Sequence, residues 1–137
     1  MVKKLRILKA SDVQVRQFAI KAEQYRSAMH LAFDSGLWDA SVSNGFHAVI
    51  LMANSLTGRK SGVYFADKDH AQAAEYMKQV LGPSSGRAKE QMSQVLNLKA
   101  LVEYEAKACT DSTALEVIKR VDRFFSWSSD QTPEQGG

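Results

Sequence analysis

Between Gly36 and Leu56 the chain carries apolar side chains on two separate faces of a helical register and contains no proline. One stripe, Trp38, Val42, Phe46, Val49, Ala53 and Leu56, advances by steps of three and four. A second, Leu37, Ser41, Gly45, Ala48 and Met52, is built largely of small residues. A helix apolar on two sides is sandwiched by others. Its large side chains fill a core on one face, and its small ones admit a second backbone on the other. This segment is therefore expected to be the central helix of a bundle.

The same periodicity places the remaining elements. Phe18, Ala22, Tyr25, Met29 and Phe33 space a first helix over roughly residues 12 to 34, capped by Ser11 or Asp12, and Gly36 turns the chain into the central helix. Thr57 to Phe65 reads as a connecting loop, with Val63, Tyr64 and Phe65 apolar enough to tuck against the bundle. Asp67 is the expected cap of a short third helix ending near Leu81. After the break Gly82-Pro83-Ser84-Ser85-Gly86, a fourth helix carries the seam Ala88, Met92, Val95, Lys99, Val102, Ala106. A fifth starts at Asp111 or Ser112 and turns Ala114, Ile118, Val121 and Phe125 inward. No alternating strand pattern of useful length and no internal repeat is present. The fold class expected is all-α, an up-and-down bundle of four to five helices. It occupies residues 11–127, between a basic N-terminal arm (1–10) and a polar, disordered tail (128–137).

Composition narrows this picture without changing it. A chain of 137 residues, 45% hydrophobic and 24% charged, can bury a core without disulfides or a structural metal. Its longest unbroken apolar run, Ala48 to Ala53, is too short to span a bilayer. Lysines and an arginine interrupt the apolar residues at the start, which leaves no apolar stretch of signal-peptide length. A cytoplasmic protein is expected. The lone Cys109 can form neither an internal disulfide nor a zinc site. The net charge of +3 is mild and its cations are spread among 15 acids, so bulk electrostatics do not announce a nucleic-acid binder. Lys3, Lys4, Arg6 and Lys9 form the one local excess, expected to be a solvated arm.

Sites of familiar chemistry are mostly missing. Neither Glu-x-x-His nor His-x-x-x-His occurs, and His30, His47 and His70 fall in three different helices, so no metal or other cofactor is expected. Gly58-Arg59-Lys60-Ser61-Gly62 lacks the strand and helix that a phosphate-cradling loop needs and reads as a turn. No serine sits in a Gly-x-Ser-x-Gly elbow. Lys99 stands out. An ammonium on an apolar seam either snorkels to the edge or marks a polar groove. In a groove, Tyr104 and His70 are its expected neighbours, a combination suited to a phosphate or nucleotide.

Several segments together resemble a known family. They are Ala28-x-x-Leu31, then Gly36-Leu37-Trp38-x-Ala40-Ser41-Val42-Ser43-Asn44-Gly45-Phe46-His47-Ala48, then Lys68-Asp69-His70, and Leu98-Lys99-x-x-Val102-Glu103-Tyr104-Glu105. In order and spacing they resemble HEPN domains (higher eukaryotes and prokaryotes nucleotide-binding), in particular the small stand-alone prokaryotic type, from Val13 to Trp127. The resemblance implies a helical bundle, a homodimer, and a minimal nucleotidyltransferase partner in a two-component toxin–antitoxin system. It nominates Lys99, Tyr104, His70, Lys68 and Asn44 as groove residues for nucleotide or RNA. Active members are metal-independent ribonucleases with an Arg-x(4 to 6)-His pair. Here no arginine precedes a histidine at that distance: Arg26 and His30 are one residue too close. Lys99 stands at the arginine's place and Tyr104 and Glu105 near the histidine's. Lysine lacks the planar fork, and a tyrosine of pKa about 10 is a poor proton shuttle. The expected function is a non-catalytic binding module; the alternative is an RNA-cleaving toxin using Lys99, Tyr104 and His70. The apolar surplus of the central helix, beyond what five short helices easily cover, independently suggests a subunit interface.

Overall fold

The computed structural model describes residues 5–104 and 109–131, with Tyr104 described through its backbone alone. The chain is an all-α up-and-down bundle. Its helices are α1 (Asp12–Asp34), α2 (Trp38–Ser61), α3 (Ala73–Leu81), α4 (Gly86–Tyr104) and α5 (Asp111–Gln131). Two short strands, β1 (Ile7–Lys9) and β2 (Val63–Phe65), pair antiparallel at one side.

Local sequence explains where the helices begin. Ser11 opens α1 with a capping box: its hydroxyl accepts the Gln14 N–H at 3.1 Å, and the Gln14 side chain accepts the Ser11 N–H at 2.9 Å. Gly36, at φ +73°, reverses the chain, and the Leu37 N–H closes the turn onto the Ala32 carbonyl at 2.8 Å. The Thr110 hydroxyl accepts the Thr113 N–H at 3.2 Å at the start of α5.

Helix α2 is central, touching α1, α3, α4 and α5. Val42, Phe46, Val49, Ala53 and Leu56 are buried along its large face. On its small face, the Ser41 hydroxyl donates to the Met29 carbonyl of α1 at 2.9 Å. A Cβ on Gly45 would lie 2.9 Å from Val117 Cγ1 of α5 and 3.0 Å from Met29 Sδ of α1. Close approach of two neighbouring helices thus requires a glycine there. Apart from the exposed Leu37 and the half-buried Trp38, both stripes are consumed inside one chain. The apolar surplus of α2 therefore does not argue for a subunit interface.

Four other expectations are corrected. Thr57 to Ser61 is not loop but the last turns of α2, and Gly58 lies in the helix because a Cβ there would meet Val15 Cγ2 at 2.8 Å and Ala10 Cβ at 3.1 Å. Gly62, at φ +75°, makes the actual stop. Residues 6 to 10 are not a free arm, because β1 pairs with β2 and the Arg6 N–H donates to Asp67 Oδ2 at 3.1 Å. Lys3 and Lys4 lie outside the described residues. Asp67 therefore ties the sheet, while Asp69 accepts the Ala71 N–H at 3.2 Å and opens a 3-10 turn, His70–Gln72, leading into α3. Finally, α5 continues past Trp127 to Gln131 with Ser128 buried, its hydroxyl donating to the Phe125 carbonyl at 2.8 Å; residues 132–137 lie outside the described part.

Candidate functional site

Helix α4 delivers Lys99 from the same seam that buries Ala88, Met92 and Val95. Its ammonium stands 4.4 Å from the centroid of the Phe46 ring on α2 and 2.5 Å from Glu103 Oε1 one turn along α4. The side chain is 20% exposed. The ring face and the carboxylate together offset the cost of drawing the charge from water. Lys99 lines two adjoining clefts. One, of about 330 Å³, is also lined by Phe46, Lys68, Asp69, His70, Asn97 and Glu103. The other, of about 240 Å³, is bounded by Asp39, Val42, Ser43, Val102 and again Glu103.

Two imidazoles pack on the same Phe46 ring. The 3-10 turn presents His70 edge-on to Phe46, with centroids 5.2 Å apart and planes at 86°. His47 follows Phe46 on α2 and also meets it edge-on, at 5.1 Å. Burial lowers the pKa of His70 from its ordinary 6.5, Lys99 lowers it further, and Asp69 and Asp67 oppose. His47, exposed by surface area but with part of its ring against Phe46 and Tyr25, is likewise lowered by this partial burial, then by Lys99 and His70, with Glu103 opposing. The buried Nδ1 of His70 has no hydrogen-bond partner among the described residues. A proton there would be a donor without an acceptor, which also favours the neutral ring.

The structure thus brings together three of the five residues nominated from sequence. Lys99, His70 and Lys68 line one cleft. Asn44 does not line either cleft and donates to the Ala40 carbonyl of its own helix at 2.8 Å. The Tyr104 side chain, with Glu105, lies outside the described residues. By spacing alone Phe46 is a core residue and His47 an isolated histidine, yet Phe46 lies under the Lys99 ammonium and His47 packs against Phe46. The only available signals were the Phe46-His47 adjacency and the i,i+4 spacing of Lys99 and Glu103.

A second basic cluster lies between α1 and α5. Arg26 Nε donates to Asp122 Oδ1 at 2.9 Å, and His30 Nε2 is 3.0 Å from the same oxygen. The Arg26 guanidinium sits 4.9 Å from the Phe125 ring centroid. The pair that fell one residue short of the family spacing is thereby a tie between helices.

Among the described residues no group of three or more His, Cys, Asp or Glu could hold a metal ion, and no helix is long and apolar enough to cross a membrane. Comparison with protein-family models, curated proteins and solved structures returns no match to this chain.

Proposed function

We propose that this chain is a HEPN-like helical module that binds the phosphate of a nucleotide or RNA strand at Lys99 without cleaving it. The observation that supports this is the position of the Lys99 ammonium, held against Phe46 where two clefts meet. One side of the charge is shielded from water, which strengthens its attraction for an incoming anion. Glu103 is half exposed and on the same helix, so a phosphate can displace it. Among the described residues no arginine lines either cleft, so the contact is a point charge rather than a fork. Cleavage through the ribose 2′-OH needs one group to take a proton and another to give one. His47 and His70, both biased toward the neutral form, are poor proton donors at neutral pH. A homodimer in the cytoplasm and a minimal nucleotidyltransferase partner in a toxin–antitoxin-like pair complete the proposal; these rest on the sequence resemblance.

Calorimetric titration with AMP and a short RNA tests it. Binding lost in Lys99→Ala, with RNA intact after incubation in EDTA, is the expected outcome. The second reading, a metal-independent RNA-cleaving toxin using Lys99, Tyr104 and His70, draws support from the neutral imidazole of His70 beside the lysine, a suitable proton acceptor. RNA cut in EDTA by the wild type but not by Lys99→Ala would establish it and end the non-catalytic reading.

A further inference from the structure

The aromatic contacts at the cleft continue outward past Phe46. Tyr25 on α1 lies against His47 on α2, with ring centroids 5.2 Å apart and planes at 40°. Phe46 is buried in the core, whereas Tyr25 is 36% exposed and His47 is exposed. The row Tyr25, His47, Phe46, His70 therefore ends in an exposed pair of rings on one side and runs beneath the Lys99 ammonium on the other. We propose that Tyr25 and His47 form a shelf on which an unpaired nucleobase of a single-stranded nucleic acid stacks while its phosphate engages Lys99.

This rests on the reading of Lys99 as a phosphate site and names the ligand class. A phenol and an imidazole both present π faces, and any base can stack on them, so the shelf carries little sequence preference. The faces of a base inside a duplex are already stacked on its neighbours and cannot use the shelf, which makes it selective for single strands. His47 and Lys99 both contact the Phe46 ring, so the stacking and phosphate subsites lie close enough for adjoining parts of one strand. The bias of His47 toward the neutral form leaves its ring without a full charge to be desolvated when a base covers it.

The test is fluorescence anisotropy with labelled oligoadenylate and oligodeoxyadenylate of about eight nucleotides, a length within the usual site size of single-strand binders. Competition with inorganic pyrophosphate reports the phosphate subsite alone. Tyr25→Leu should weaken oligonucleotide binding roughly tenfold while leaving the pyrophosphate affinity unchanged, and Tyr25→Phe should restore it. Melting followed by circular dichroism confirms that the variants are folded. Oligonucleotide binding undiminished in Tyr25→Leu but abolished in Lys99→Ala would overturn the shelf and spare the phosphate site. A duplex competing as well as a single strand would overturn it too. A wild type that binds neither oligonucleotide nor pyrophosphate would remove the underlying reading itself.

Discussion

Arg26, His30 and Asp122 form a closed cluster between α1 and α5, whereas Lys99, His47 and His70 form an open one between α2, α4 and the turn before α3. The chemical groups are alike. In the first, one carboxylate oxygen serves both the guanidinium and the imidazole from a different helix, and Phe125 covers the guanidinium. In the second, the lysine's carboxylate comes from its own helix, and the buried Nδ1 of His70 lacks a partner. A carboxylate from the same helix ties no two elements together, so its loss leaves the bundle standing. The closed cluster holds helices together; the open one places a cation, paired only within its own helix, at the edge of two clefts.

Separate substitutions should split the two roles. The largest effect is expected from Lys99→Ala, which should weaken AMP or RNA binding roughly a hundredfold by calorimetry, the usual scale for removing a partly buried charged contact. Asp122→Ala should leave that affinity unchanged and destabilise the fold by about 1 kcal/mol, because Arg26 and His30 lose their acceptor at a site partly open to solvent. Urea unfolding measures it. Equal loss of ligand affinity in both variants would erase the distinction between the clusters.

Acidification should act chiefly on the open cluster. His47 and His70 have folded pKa values below 6.5, the value in the unfolded chain. Above that pH both are neutral in either state and add nothing to the pH dependence. As pH falls through 6.5 the unfolded chain takes up protons that the folded one resists, so stability drops until the lowered folded values are passed. The facing groups are Lys99 and, for His47, also His70, which enlarge the effect, and Glu103, Asp67 and Asp69, which reduce it. Urea midpoints between pH 7.5 and 5.5 should fall in the wild type and fall less in a His47→Gln, His70→Gln double variant. A smaller effect concerns Cys109, buried next to Asp39, whose carboxylate accepts the Cys109 N–H at 3.0 Å. Burial and then Asp39 push the thiol pKa up, so iodoacetamide at pH 8 should label it more slowly than free cysteine. Asp39→Asn should narrow the gap.

Much of the bundle was legible in the chain, for reasons that are local. The limits of α1 follow from the Ser11 to Gln14 capping box and from Gly36, and the two stripes of α2 follow from a spacing of three and four. The strands were not legible, because Ile7–Lys9 is too short to show alternation and its partner is far along the chain. Gly58 reads as part of a turn, since a glycine needed for close approach looks the same in sequence as one needed for a bend. Lys99 was conspicuous as a charge on an apolar seam. Its neighbours were not: Phe46 meets it from α2, His47 and His70 pack on that ring, and no periodicity encodes which rings meet.

Sequence by itself thus determined the helices, their inward faces and the one cation out of place, because capping and amphipathic spacing act within a few residues of one another. The tertiary structure alone decided that Gly45 seats α1 and α5 against α2, that Arg26 and His30 are tied by Asp122, and that Lys99 lies over the Phe46 ring. Those outcomes depend on which helix faces meet and how closely, and that is settled by packing the whole core at once.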